Sequence, residues 1–313
     1  MSRSVLYFFK NEKFFLGLSR ILLLLFCTTL SYLNLRIKLY LTPSWYNGTL
    51  LQNHNSLIQF NYYNNEQSRI LQYYIPEIIH NIFQINIVNC YLIQRLTFIS
   101  FAFYFFYFFN KKWITPFQSI IGVLILALII PLTYKNHLQE SFSFLFLSFL
   151  LALWCIRENK LYAFSFVLLI GALNNETILY TPIIFLFYNS KFRNLLFVLK
   201  KTILISSPAF IVAAIMRLVT IDRPHLGGAW HLQENMHNLD EPFLLFNILW
   251  LLPFIFFKRL PYFLKCALLS IPFFVIPHLI TGIISETRQM LPLGFILIPS
   301  SIITWNISFN KNK

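Results

Sequence analysis

Residues 161–188 read LYAFSFVLLIGALNNETILYTPIIFLFY: two apolar runs with Asn174-Asn175-Glu176 between them. As one straight helix this segment would be about 42 Å long, against about 30 Å of bilayer hydrocarbon. It would also place Lys191, Arg193, Lys200 and Lys201 on the non-cytoplasmic side, against the usual bias of basic residues. The sequence is better satisfied by two short helices joined at Asn174–Glu176, with the joint facing outward. Broken helices are tolerated in a bilayer where they line a protein or water cavity.

Composition sets the class around that segment. Of 313 residues 57% are hydrophobic, and the 25 Lys and Arg and 11 Asp and Glu together make only 12%. That charged share is about half of what a soluble domain carries. A water-soluble globule, a disordered chain and a disulfide scaffold are excluded. At about 20 residues per span the apolar residues supply at most about nine spans. Continuous apolar runs, 19% aromatics and only 8 Gly argue against a transmembrane β-barrel. The expectation is an all-α, polytopic transmembrane bundle of about nine to ten membrane segments, forming a single domain over 1–313. The formal net charge of +14 does not point to nucleic acid, because the basic residues lie singly or in pairs between apolar runs, as in loops beside anionic lipid. Cys27, Cys90, Cys155 and Cys266 each lie in or beside an apolar run and read as small core residues.

The first run, 14–33, follows Arg3, Lys10 and Lys13 and reads as an uncleaved first span with a cytoplasmic N-terminus. A polar outer loop is expected over 34–87. Further spans fall at 88–109, 114–133, 141–156, 161–188, 202–219, 243–257, 264–284 and 290–306, with an outer loop at 220–242 and a cytoplasmic C-terminus. Most Lys and Arg then face the cytoplasm. All carboxylates except Glu12 and Glu158 lie outside or at the outer boundary.

The outer segments hold the varied polar chemistry. Asn175-Glu176-Thr177 with Pro182, and Ser285-Glu286-Thr287 with Pro292, form a near-repeat. Each reads as a capped helix N-terminus with Glu in the first turn and a proline kink six residues on. Two such ends aimed into one cavity, with Arg288 beside them, would bind an anion. Plain capping at the membrane surface is the alternative. Arg95 lies one to two turns into its span and is expected to face a carboxylate or phosphate. Arg217, near a span end, is explained by snorkelling. Ile70, Leu71, Tyr74, Ile75, Ile78 and Ile79 have helical spacing and predict an amphipathic helix at the interface, with Arg69 near headgroup phosphate. His225, His231 and His237 are spaced by six, which suits no zinc pair, so no metal ligands are assigned. Asn47-Gly48-Thr49 fits a glycosylation acceptor.

Arg69-Ile70-Leu71 with Pro76, Pro131-Leu132-Thr133, Gly171-Ala172-Leu173-Asn174-Asn175-Glu176-Thr177 with Pro182, and Glu286-Thr287-Arg288 with Leu291-Pro292-Leu293 occur in that order. This series resembles polytopic bacterial membrane proteins carrying Arg-x-Leu-x-Pro, Asn-Arg-Glu-Thr and Glu-Thr-Arg…Leu-Pro-Leu segments. Their plan is similar to the GT-C class of membrane glycosyltransferases. The resemblance spans about residues 66–299, and it implies a bacterial inner membrane and a polyprenyl-phosphate sugar as donor. Two departures stand out: Asn175 replaces the usual Arg, and the first outer loop has no Asp, where GT-C enzymes place a catalytic one.

The resulting expectation is transfer of a sugar from a polyprenyl-phosphate carrier to an acceptor on the non-cytoplasmic face. Such a reaction needs a base near the acceptor hydroxyl and positive charge at the departing phosphate. Glu66 or Glu176 is the expected base. Arg69, Arg95 and Arg288, with Asn175, are the expected phosphate contacts, and Glu140 and Glu286 the acceptor-orienting carboxylates. The expected partners are membrane lipid and the lipid-linked sugar, and the need for a divalent metal is left open. Two rivals remain at this level: a carrier or flippase for a lipid-linked saccharide, and a non-catalytic membrane subunit, which the two departures favour.

Overall fold

The structure, a computed structural model, describes residues 12–62, 65–136, 140–190, 194–220 and 230–310. Among these there are helices and no strands. In chain order the α-helices are α1 (Glu12–Leu41), α2 (Leu50–Ile58), α3 (Ile70–Phe83), α4 (Ile87–Asn110), α5 (Pro116–Ile129), α6 (Phe142–Arg157), α7 (Leu161–Ala172), α8 (Thr181–Ser190), α9 (Leu195–Val219), α10 (Leu232–Met236), α11 (Asp240–Phe246), α12 (Leu252–Ile255), α13 (Tyr262–Thr281) and α14 (Gly294–Asn310). Among the described residues six segments are long and apolar enough to cross a membrane: Ser19–Leu41, Ile87–Asn110, Pro116–Tyr134, Leu195–Val219, Tyr262–Thr281 and Thr287–Ser308. The chain is therefore a multi-pass integral membrane protein.

The bundle has two chemically distinct ends. At one end Arg157 Nη1 donates to the carbonyl of Phe109 at 2.8 Å, Trp113 stacks on Phe263, Tyr188 packs on Tyr262, and Gln118 bonds Asn306. Lys111, Lys112, Arg157, Lys160, Lys258 and Arg259 gather there. At the other end the start of α3 is tied to the end of α7, where Leu71 N donates to the carbonyl of Leu173, and Asn174 Nδ2 donates to that of Ser141. Asn235 Nδ2 donates to the carbonyls of Leu279 and Gly282. Glu66, Glu140, Glu176 and Glu286 gather at this second end. Between the ends, Phe and Leu side chains of α4, α6, α13 and α14 fill a continuous core.

The break in 161–188 is present. α7 stops at Ala172, a turn follows, Glu176–Tyr180 forms a 3₁₀ turn, and α8 runs back. Phe164 on α7 stacks on Phe185 on α8 with centroids 5.7 Å apart, so the two helices are antiparallel neighbours. Gly171 permits the fold-back, because a Cβ there would collide with the side chain of Ile178.

Several boundaries differ from expectation, for physical reasons. The first helix does not end at residue 33 but continues to Leu41. Its polar residues find protein partners instead of water: the Asn34 amide donates to the Leu30 carbonyl, Asn34 Oδ1 accepts from Tyr134, and Lys38 pairs with Glu140. The described residues of 34–87, the stretch expected as an outer loop with an interfacial helix, comprise the end of α1, a π-helical turn at Trp45–Thr49 with Gly48 at φ 128°, then α2 and the expected helix α3. The expected span 243–257 is broken into α11, a 3₁₀ turn and α12, which lean on α14. Helix α6, with 16 residues, reaches only about 24 Å, so it falls short of a full span by itself. The two prolines of the near-repeat do not sit where they would kink a helix. Pro182 lies in the first turn of α8, and Pro292 lies in the 3₁₀ turn Leu291–Leu293 before α14, where a missing N–H is harmless.

Helix α3 forms where the spacing predicts one. It buries Gln72, Tyr73 and Pro76 and exposes Tyr74, Ile78, Ile82 and Phe83, so its apolar outer face suits lipid. Of the outer loop 220–242, Asp222, Arg223, His225 and Gly227-Gly228 lie outside the described residues.

Candidate functional site

The elbow at Asn174–Glu176 is held by short side chains. Asn175 caps the 3₁₀ turn, its Oδ1 accepting from Thr177 N at 3.0 Å, while its Nδ2 lies 3.4 Å from Ser141 Oγ. The late segment is also 3₁₀ rather than α-helical: Glu286 precedes Thr287–Gln289 and makes no side-chain cap. With three residues per turn, Glu286 and Gln289 stand one above the other. Glu286 Oε2 accepts from Gln289 Nε2 at 2.9 Å and from Arg288 Nη2 at 2.6 Å. Neither near-repeat is thus an α-helix N-terminus at its Glu, which corrects the expectation of two aimed helix dipoles.

The two turns nevertheless open on one cavity of about 670 Å³. Arg69, Asn175, Glu176, Arg217 and Arg288 line its polar end. Three guanidiniums and one carboxylate line that end, with Arg288 bonded to Glu286 behind it. Arg217 grips Glu176 in bidentate fashion, Nε to Oε1 and Nη2 to Oε2, each at 2.5 Å. The rest of the wall is mostly apolar: Leu179, Pro182, Ile183 and Leu186 on the elbow and α8 side, and Leu199, Ile203 and Phe210 on α9, where the hydroxyls of Thr202 and Ser206 turn back onto their own helix carbonyls; His278, Thr281 and Gln289 add polar groups from α13 and the late turn. From Leu199 to Arg217 the lane follows α9 for about 27 Å.

The other expected site residues are placed differently. Glu66 is 4% exposed, accepts from Gln72 Nε2, and is not among the lining residues. Burial raises its pKa, against the lowering effect of the Gln72 hydrogen bond and of Arg69. Arg95 and Glu140 also do not line the cavity; they face each other. Glu140 Oε2 accepts from Arg95 Nη1 at 3.1 Å, and Oε1 accepts from Trp45 Nε1 at 3.1 Å and Tyr46 OH at 3.0 Å, with Lys38 Nζ 3.5 Å away. Tyr134 lies under the Arg95 guanidinium, 5.4 Å from ring centroid to Cζ. Arg95 thus meets a carboxylate, one of its two expected partners. Glu140 is buried, which pushes its pKa up, but Lys38 and Arg95 outweigh burial and hold it below the ordinary carboxylate value. This makes a buried ion cluster whose members are not among the lining residues of the cavity. It adjoins the cavity, because the 3₁₀ turn Ile130–Asn136 that carries Tyr134 packs on Thr287–Gln289.

Sequence reasoning missed Lys38, Arg217 and His278. Lys38 had a signal: Ser31, Asn34, Leu35, Lys38 and Thr42 are all buried and recur at helical spacing, a mostly polar stripe continuing past the assigned end of the span. Among the described residues no three His, Cys, Asp or Glu side chains gather as metal ligands would.

Comparison of the chain with protein-family models, with curated proteins and with solved structures found no match in any of the three.

Proposed function

We propose that the protein is a membrane glycosyltransferase, similar in plan to the GT-C class, that moves a sugar from a polyprenyl-phosphate carrier to an acceptor on the non-cytoplasmic face of a bacterial inner membrane. The observation that carries this reading is the form of the cavity: three arginines and one glutamate at one end, and a long, mostly apolar lane running from them along α9. An anionic head on an isoprenoid chain has that form. Arg69 and Arg288 hold the phosphate, and Arg217 exchanges Glu176 for it on binding. Glu176, released, accepts hydrogen bonds from acceptor hydroxyls. The basic end of the bundle faces the cytoplasm, with both termini, as the bias of basic residues favours. The cavity head then opens to the other side.

The test is transfer of labelled hexose from a polyprenyl phosphate in membranes carrying the protein. Loss of a charge-assisted hydrogen bond of about 1.5–3 kcal/mol in Arg288→Ala corresponds to roughly 10- to 100-fold slower transfer at limiting donor. Full transfer in both Arg288→Ala and Glu176→Gln contradicts the assignment.

The length of the lane favours a second reading, a carrier for a lipid-linked saccharide. Labelled lipid crossing sealed vesicles with its glycan unchanged would support the carrier and count against the transferase.

A further inference from the structure

His278 lies on α13 and is only 7% exposed, yet it lines the same cavity as Arg69, Glu176 and Arg288. Its Nδ1 is 2.7 Å from the carbonyl oxygen of Phe274, one turn earlier. A carbonyl only accepts, so Nδ1 carries the proton and the neutral ring presents Nε2 as a lone-pair acceptor. Among the described residues nothing pairs with Nε2, and it is not one of the buried unpartnered atoms. The ring is also fixed in plane: Phe274 stacks on it with centroids 4.6 Å apart, and Tyr180 covers it at 5.2 Å. A locked tautomer, a pinned ring and an accessible basic nitrogen in a cavity are the attributes of a general base. Glu176, the one carboxylate among the described lining residues, is less suited: Arg217 holds both of its oxygens until the donor binds, and a carboxylate is a weaker base than a neutral imidazole.

On the basis of the transferase reading above, we propose that His278 is the proton acceptor of the reaction. The acceptor hydroxyl oxygen forms a bond to the anomeric carbon of the donor sugar while its proton passes to His278 Nε2. The bond from that carbon to the phosphate oxygen breaks, and both electrons remain on the phosphate, which Arg69 and Arg288 stabilise. The imidazolium, with Glu176 as a counter-charge in the cavity, returns its proton to water when product leaves. Nothing is oxidised or reduced.

The experiment compares wild type, His278→Gln and His278→Ala in hexose transfer from a labelled polyprenyl phosphate, alongside binding of farnesyl phosphate as a short carrier probe. The expected result is a kcat lower by about 10²- to 10⁴-fold in both variants. Donor KM and farnesyl phosphate affinity stay unchanged, and added imidazole partly restores turnover in His278→Ala. Diethyl pyrocarbonate is expected to modify His278 in the wild type, read by peptide mass, and farnesyl phosphate to protect it. A kcat within about threefold of wild type in His278→Gln overturns this assignment and leaves the transferase reading standing. Loss of transfer together with loss of farnesyl phosphate binding, without imidazole rescue, makes His278 structural and overturns it too. Absence of transfer by the wild type overturns both proposals.

Discussion

Glu140 illustrates how a single buried carboxylate holds several elements together. It joins Lys38 of α1, Arg95 of α4 and the Trp45–Tyr46 turn, and its side chain is 3% exposed. Glu140→Ala leaves two cations buried without their counter-charge, so it should destabilise the fold by about 3–5 kcal/mol, read as a fall in Tm in detergent. Glu140→Gln should be milder, since it keeps the acceptor oxygen for Tyr46 and Trp45. A second pair makes a pH prediction. His54 accepts at Nδ1 from Tyr91 OH and donates from Nε2 to Glu77 at 3.0 Å. Burial holds the His54 pKa below its ordinary 6.5, and the His54 hydrogen bond holds Glu77 below 4.5. Below pH 6.5 the unfolded chain takes up a proton at His54 that the folded chain refuses, so stability should fall. Below pH 4.5 the Glu77 contribution is lost as pH drops through its folded pKa. A Tm titration should show both declines, and His54→Gln should reduce the upper one. Of these residues, Arg95 was legible in the sequence because a charge inside an apolar run demands a partner. Its partner was not, because Glu140 lies 45 positions away and no local pattern links them.

The elbow helices depend on a few local contacts. Asn175→Ala removes the cap on Thr177 N and should cost about 0.5–2 kcal/mol, with the loss appearing as faster hydrogen exchange over 176–180. Gly171→Val forces a side chain into Ile178 and should displace the Glu176–Tyr180 turn, at about 1–3 kcal/mol, with weaker farnesyl phosphate binding. Retained binding in Gly171→Val would mean that the turn does not position the cavity. The break itself could be read from the sequence, since length and the Asn-Asn-Glu interruption both require it. The 3₁₀ form of both Glu-containing turns could not, because an Asn or Ser followed by Glu, with proline further on, is compatible with an α-helical or a 3₁₀ start. The extension of α1 was only partly legible, in the helical spacing of Ser31, Asn34, Leu35, Lys38 and Thr42. A polar residue in a membrane helix resembles a loop residue until its partner is known, and Lys38 finds its partner only in the assembled bundle.

For the molecule as a whole, composition was enough to establish a helical multi-pass membrane protein, and charge sorting anticipated a basic and an acidic end. What the linear order could not supply was the convergence of Arg69, Glu176, Arg217 and Arg288 from four separate elements onto one cavity. Placing the cavity head on the opposite side of the bilayer from the basic end, with a lipid phosphate as its occupant, is the claim on which the proposed chemistry depends. It is tested by single cysteines in sealed vesicles, one at Thr177 in the cavity and one at Tyr162, which is 95% exposed at the start of α7. A membrane-impermeant maleimide should label Thr177→Cys and Tyr162→Cys from opposite sides, and farnesyl phosphate should protect only Thr177→Cys. Labelling of both from the same side, or no protection of Thr177→Cys by farnesyl phosphate, would contradict it.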